Sequence, residues 1–407
     1  MTGIRMEFAL TAVLTIGAAV VAVPVAIFFI EVLSAITLSP GNATAAGNAK
    51  RDLGQRVGVL VPAHNESAGL LPTIADIAGH LCAGDRLLVV ADNCTDDTAA
   101  VAAAGGAEVI ERRDLTRIGK GYALDFGLAH LALQPPDIVI VIDADCRLAD
   151  DAIGELAVTC AATHRPVQAS YVMRAPPDSR INHQVAEFAW RVKNRLRPSG
   201  LKALGLPCQL TGTGMAFPWD VIRGAALASG CVVEDLKLGL DLAAAGHPPV
   251  FCPSAGVTSE FASSAKAAQT QRQRWEGGHI SMILTMVPQL LRTALTRRDW
   301  NLLALTLDLA VPPLSLLTIV VIGTFAVAVL YAVAGFSSLP LAVSAAALAV
   351  FMLTAFLAWL NCGRDVVPPG AALSIARYII AKLGLYRSHL FGRTDAQWIK
   401  TDRSKPD

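Results

Sequence analysis

The chain has 407 residues, 53% of them hydrophobic and only 16% charged, with a mean hydropathy of +0.48. That balance excludes an ordinary soluble enzyme of this length, so part of the chain belongs in lipid. A formal net charge of +1, with no Lys/Arg block interleaved with aromatics, excludes a nucleic-acid surface but not a small anionic substrate.

Residues 8–30 carry no charge, and an apolar run beyond ~18 residues predicts a transmembrane helix, here with Pro24 as a kink point. A secretory signal peptide fits less well, because its apolar region runs only ~7–15 residues and the flank here holds Glu7 as well as Arg5. A Gly-, Ala- and Asn-rich linker follows, and residues 37–55 are assigned to it. Short apolar runs then alternate with helix-like runs, the pattern of an α/β domain with a mostly parallel sheet. Strands are expected at 57–61, 87–91, 107–111 and 138–142, with helices at 70–81, 98–104 and 121–133 between them. The 8 cysteines, among them Cys82, Cys94, Cys146 and Cys208, lack zinc or dithiol spacing and read as buried reduced thiols, which points to the cytoplasm.

Farther on, 280–295 and 373–391 mix apolar and basic residues and are expected to lie at a membrane surface. The charge-free run 309–363 is too long for one crossing and is broken at 334–340, which predicts a helical hairpin. Arg364, Arg377, Lys382, Arg387, Arg393, Lys400 and Arg403 follow it, so the tail is expected on the cytoplasmic side of the inner membrane. The middle of the chain then faces the cytoplasm and the N-terminus lies outside. The expected divisions are an N-terminal helix (1–36), the linker, a catalytic domain (56–280), interfacial helices (281–308), the hairpin (309–363) and a basic tail (364–407) with an interfacial helix.

Ligands of such sheets bind beyond the carboxyl ends of the strands. The first strand runs into Pro62, Asn65 and Glu66, and the second into Asp92. Asp96 and Asp97 read rather as helix caps before Thr98. Lys120, in Gly119-Lys120-Gly121, is a candidate for a nucleotide although the run is too short for a P-loop and also reads as a turn before a helix. Asp143 and Asp145 end an apolar strand on one side of the extended chain, and such a carboxylate pair calls for a cation, Mg2+ or Mn2+ by its oxygen chemistry. Thr211-Gly212-Thr213-Gly214 allows close approach to backbone, or forms a bend. Glu234-Asp235 opens a helix-like run, where acidic residues also suit the helix dipole. Gln271, Arg274 and Trp275 share a helical face that suits a diphosphate and a sugar, or a membrane-interface anchor.

In order, Pro62-x-x-Asn65-Glu66, Asp92, Asp143-Ala144-Asp145, Glu234-Asp235 and Gln271-x-x-Arg274-Trp275 resemble the motifs of family 2 glycosyltransferases of the GT-A fold, over about residues 56–280. The membrane design is similar to that of the cellulose, hyaluronan, chitin-oligosaccharide and poly-N-acetylglucosamine synthases. The resemblance implies a UDP-sugar donor lined by Pro62, Asn65, Glu66 and Lys120, with Asp92 at the uracil, Asp143 at the nucleotide and Asp145, with Asp143, at a divalent metal. It implies Asp235 as general base beside Glu234, and Gln271, Arg274 and Trp275 at the diphosphate and acceptor. Transfer is expected to invert the anomeric centre and to extend a lipid-linked or growing glycan in exopolysaccharide or cell-envelope synthesis, among membrane lipids and other polysaccharide-assembly proteins. The alternative is a processive synthase with coupled translocation. Against it, Val233 stands where processive synthases have Thr, and three spanning helices are few. A sugar nucleotidyltransferase would need a Gly- and Arg-rich phosphate loop near the start, which this sequence lacks.

Overall fold

A computed structural model of the chain describes residues 2–38, 54–176, 179, 181–228, 231, 233–262 and 265–383. Most of the expected linker, the second half of the 373–391 helix and the basic residues from Arg387 onward lie outside the described residues. The first helix, α1 (Thr2–Thr37), keeps Pro24 inside it. The α/β units follow as β1 (Val57–Ala63), α2 (Leu71–Ala78), β2 (Arg86–Asp92), α3 (Thr98–Ala104), β3 (Glu108–Arg112), α4 (Lys120–Leu131) and β4 (Ile138–Val141). These four strands pair in parallel in the order β3-β2-β1-β4. They are the four expected from apolar runs, and both their faces are covered. Val57, Val59 and Val61 face one buried cluster with Ile74, Ile77 and Ile153, while Leu60, Val139 and Val141 face another with Leu124, Leu128 and Leu131.

The second half of the sheet was not visible as strands. It comprises β5 (Arg147–Leu148), α5 (Ala152–Thr163), β6 (Val167–Arg174), α6 (Ile181–Arg191), a π-helical turn (Val192–Leu196), α7 (Arg197–Ala203), β7 (Met215–Pro218), α8 (Trp219–Ile222), α9 (Glu234–Ala244) and β8 (Val250–Glu260). Strand β7 runs antiparallel between β4 and β6, and β8 lies parallel to β6, giving one mixed, mostly parallel sheet of order β3-β2-β1-β4-β7-β6-β8-β5 among the described residues. Polar Gln168 and Ser170 in β6, Pro253 in β8 and a register shift at Ala169/Ser170 interrupt the apolar pattern there.

Four helices end the principal chain: α10 (Ala265–Arg297), α11 (Trp300–Leu309), α12 (Leu314–Val333) and α13 (Leu339–Cys362), with α14 (Ala372–Ala381) beyond them. The expected division at 280/281 falls within α10, one helix of 33 residues that carries Gln271 and Trp275 at one end and the 280–295 run at the other. Among the described residues three helices are long and apolar enough to cross a membrane: Arg5–Thr37 within α1, α12 and α13. They pack through Phe28, Val32, Val321 and Phe351, and Tyr331 Oη lies 2.7 Å from Thr11 Oγ1. Phe8, Ile16, Leu330 and Phe356 are exposed on the outside of this bundle, as lipid contact requires.

The bundle is joined to the α/β domain by a buried ionic triad. Arg197 Nε donates to Glu31 Oε2 at 2.5 Å, and Nη2 donates to Asp308 Oδ1 at 2.5 Å and to the Asp308 carbonyl at 3.0 Å. The residues are 6%, 2% and 7% exposed and come from α7, α1 and α11. Next to it α7 crosses α1 so closely that a Cβ on Gly200 would fall 1.8 Å from the Glu31 carbonyl oxygen. Removing the guanidinium leaves two buried carboxylates facing each other. Arg197→Leu is therefore expected to cost about 3–5 kcal/mol, read as a clear fall in Tm of the full chain in detergent; an unchanged Tm would show that the triad does not hold the two parts together.

Candidate active site

At the carboxyl edge of β1 and β2 two loops are stitched together. Thr98 Oγ1 accepts from the backbone N–H groups of Glu66 and Ser67, both at 2.9 Å, and Asn65, in the left-handed region at φ 54, accepts the Thr95 N–H on Oδ1 at 2.7 Å. The Asn65 side chain is thus engaged in holding the loop, and Pro62 sits half-buried near the end of β1. Asp96 Oδ1 accepts the Thr98 N–H at 3.1 Å at the start of α3, as a cap should. Asp97, although at the N-cap position, makes no capping bond and accepts from Ser67 Oγ at 2.5 Å instead, which corrects the expectation for that residue. Asp92 is buried and paired with Arg112 Nη1 at 2.7 Å, while Arg112 also reaches the Arg117 carbonyl at 2.8 Å.

The chemistry gathers one strand over. Lys120 is the first residue of α4, so the Gly119-Lys120-Gly121 run is a helix start, and its side chain reaches across the site. Its ammonium pairs with Asp143 Oδ1 and donates to the Gly212 carbonyl at 2.6 Å. Gly212 has φ +94, and a Cβ there would lie 3.1 Å from Asp235 Oδ2 and 3.6 Å from Lys120 Nζ. Only glycine combines that backbone conformation with so close an approach to a carboxylate. The loop is held from beneath by Gln168, whose amide donates to the Thr213 carbonyl at 2.9 Å and accepts the Thr211 N–H at 2.8 Å. Thr213 Oγ1 in turn accepts the Asp143 N–H at 3.0 Å.

Glu234 and Asp235 form the first turn of α9. Val233, just before them, packs against Gly278 of α10, where a Cβ would fall 2.6 Å from Val233 Cγ1. Burial, then Asp235, pushes the Glu234 carboxyl up to about 7 against the pull of Lys120. Burial also raises Asp235, again opposed first by Lys120. Burial by itself would lower Lys120, but Asp143, Glu234 and Asp235 together hold its ammonium above the ordinary lysine range. Arg274 is drawn down by burial and held up by Glu234, Asp143 and Asp235. Trp275 packs its ring 4.9 Å from Trp190, which meets Tyr171 at 5.6 Å and Phe261 at 6.0 Å edge-on, so it is a packed residue and not a membrane-interface anchor. Gln271 is 1% exposed, and both its amide atoms lack a hydrogen-bond partner among the described residues.

The structure thus brings Lys120, Asp143, Glu234, Asp235 and Arg274 within electrostatic reach of one another, while Asp92 is engaged separately with Arg112. Asp145 is half-buried just past β4. Sequence reasoning missed Arg112, Gln168, Trp190 and Lys193, and saw Thr213 only as part of the Thr211–Gly214 run. A glutamine in an otherwise apolar strand was the one visible signal, for Gln168. All eight cysteines are free thiols, and burial pushes Cys146 beside the site up to about 12.

The family model described as "Glycosyltransferase like family 2" matches residues 55–278. An uncharacterized glycosyltransferase of Mycobacterium tuberculosis (strain ATCC 25618 / H37Rv) is 34% identical over 205 residues, 46% of this chain and 86% of the relative. One from Mycobacterium bovis (strain ATCC BAA-935 / AF2122/97) matches with the same 34% identity and the same 46% and 86% coverage. Among solved structures, a mannosyltransferase from Pyrobaculum calidifontis in complex with GDP-Man and Mn2+ is similar with a TM-score of 0.52 at 17% identity, covering 94% of this chain and 100% of that one. That likeness is one of fold.

The raised carboxyls make stability depend on pH in a definite direction. The folded chain keeps a proton on Glu234 that the unfolded chain releases near 4.5, so stability is highest below that value and falls as pH rises toward about 7. The change is on the order of 3 kcal/mol, shared by the coupled pair. Tm measured against pH in detergent should fall more steeply for the wild type than for Glu234→Gln across this window. Parallel curves would refute the shift.

Proposed function

The chain belongs to the glycosyltransferase like family 2, and from that premise we propose that it transfers a sugar from a UDP-sugar, with inversion, to a lipid-linked or growing glycan acceptor in exopolysaccharide or cell-envelope synthesis. Its fold is GT-A, a mixed, mostly parallel sheet with helices on both faces. One observation carries the reading. A lysine, an arginine and three carboxylates from four separate segments converge around a glycine whose backbone leaves room at Asp235.

In this reading Asp92, kept in place by Arg112, meets the uracil, and the stitched loops carrying Pro62, Asn65 and Glu66 line the nucleotide with Lys120 and Asp143. A divalent metal fits the residues present. Asp143 and Asp145 offer only hard oxygen donors, and among the described residues no group of three or more His, Cys, Asp or Glu collects that could hold a metal. Such a donor set suits Mg2+ or Mn2+ shared with a diphosphate better than a cage made of protein alone. Asp143 is already paired with Lys120, so Asp145 is the principal ligand we assign. When bound, the metal would withdraw charge from the leaving diphosphate.

The protein's own part is proton transfer and charge placement. Asp235, raised by burial, accepts the proton of the acceptor hydroxyl. The acceptor oxygen bonds to the anomeric carbon as the bond from that carbon to the diphosphate oxygen breaks, and UDP leaves with the electron pair. Lys120 and Arg274 face the negative charge that grows on it. The charge of Asp235 in turn helps raise the neighbouring Glu234 carboxyl.

The three apolar helices support a membrane location. Catalysis in residues 56–280 on the cytoplasmic face, with the N-terminus outside, is the arrangement we propose; the basic residues Arg364, Arg377 and Lys382 just past α13 support it.

The test is UDP release by the full chain in detergent with membrane lipids, Mg2+ or Mn2+, and a panel of UDP-sugars with GDP-mannose alongside. Release from one UDP-sugar is expected, falling about 10²–10⁴-fold in Asp235→Asn and lost on chelation of the metal. Turnover that survives in Asp235→Asn, or that prefers GDP-mannose, sinks the assignment of base or donor respectively.

A further inference from the structure

The basic residues on the run from α6 through the π-helical turn into α7 are used in different ways. Arg191 pairs with Glu187 and Asp365, Arg197 pairs with Glu31 and Asp308, and Arg195 is exposed. Lys193 is half-buried and makes no hydrogen bond or ion pair among the described residues. It nonetheless lies within electrostatic reach of Asp235, Glu276 and Asp308, and of the cationic Arg197 and the buried His279. An ammonium half out of water, near carboxylates that it does not pair with, is a charge with unmet demand.

The π turn, Val192–Leu196, places it there, and single π turns inside helices occur often at functional sites. Trp190, three residues before Lys193, stacks on Trp275 of α10, and its indole Nε1 is buried without a partner. On α10, Gln271 presents its unpartnered amide while being 1% exposed. Buried polar groups are almost always bonded. Two donors without a partner among the described residues, on segments that meet at Trp190 and Trp275, and an unpaired cation within reach of Asp235 describe the wall of a site completed by a ligand rich in oxygen and carrying negative charge.

The location separates this ligand from the donor. Lys120 and Arg274 already face the carboxylates where the donor diphosphate is placed. Lys193 instead neighbours Arg197 and Asp308, which lock onto Glu31 of the membrane helix α1. An anion there sits at the boundary between the catalytic domain and the apolar bundle.

Resting on the transferase reading above, we propose that Lys193 binds the phosphate of a lipid-linked acceptor, holding it at the membrane boundary while the acceptor hydroxyl faces Asp235. The acceptor is thus a phosphate-bearing lipid carrying a sugar, not a neutral glycan.

Calorimetric titration of the full chain in one detergent tests this with farnesyl monophosphate, farnesol, inorganic phosphate and UDP as probes. Farnesyl monophosphate is expected to bind at least tenfold more tightly than farnesol or inorganic phosphate. Lys193→Gln should bring it to the level of farnesol, Lys193→Arg should retain most of the preference, and UDP affinity should change less than threefold in both. Equal binding of phosphate and alcohol, or a preference untouched by Lys193→Gln, overturns the proposal. Equal binding of inorganic phosphate overturns the lipid as the carrier. Loss of UDP binding in Lys193→Gln assigns the lysine to the donor and overturns it as well. A wild-type protein that binds farnesyl monophosphate but no UDP overturns the underlying donor reading instead.

Discussion

The ammonium of Lys120 is the interaction on which the site depends. Three carboxylates, Asp143 past β4 and Glu234 and Asp235 at the start of α9, are gathered into a largely buried space where their mutual repulsion would otherwise drive the segments apart. One cation reached from the first turn of α4 offsets part of that charge and at the same time grips the Gly212 carbonyl at 2.6 Å. Each segment that it touches is held elsewhere by a neutral bond: Asp143 by Thr213, the Gly212 loop by Gln168, and α9 by Val233 against Gly278. With Arg274, Lys120 offsets most of the carboxylates' charge while Glu234 and Asp235 stay raised, which suits a general base near neutral pH.

A second cationic centre performs the same service on the membrane side. Arg197 bridges Glu31 and Asp308, and so fixes α1 and α11 to the run that contains the π turn. The two centres communicate through shared elements. Helix α10 extends unbroken from Gln271 and Trp275 through the 280–295 run, and the α6–α7 segment carries both Arg197 and the Trp190 that packs on Trp275. The walls of the site and its attachment to the apolar bundle are therefore the same pieces of chain.

Much of the fold was readable because hydrophobic burial leaves periodic traces. The four parallel strands are continuous apolar runs covered on both faces, and the three long apolar helices need no partner to be recognised. Strands β6, β7 and β8 were not readable, since Gln168 and Ser170 are buried for polar reasons and Pro253 interrupts the pattern. The domain boundary expected at 280 falls within the single helix α10. The change from polar to apolar residues near 280 marks a change of surroundings along one helix, not an end of hydrogen bonding. Asp97 was misjudged for a similar reason, because its position predicts a cap while its nearest donor is the Ser67 hydroxyl of another loop.

By itself the sequence determined the α/β class, the apolar helices and the family motifs, since these rest on residue type, spacing and local periodicity. The tertiary structure alone decided that Lys120 serves Asp143 and Gly212, that Gln168 supports the Gly212 loop, and that Arg197 joins three helices. It also decided that Lys193 stands unpaired among the charges of the described residues. Partners such as Lys120 and Gly212 are far apart in the chain, and spacing encodes only local geometry. Which distant groups meet, and which are left without a partner, follows from how the sheet order and the helix crossings are resolved in space.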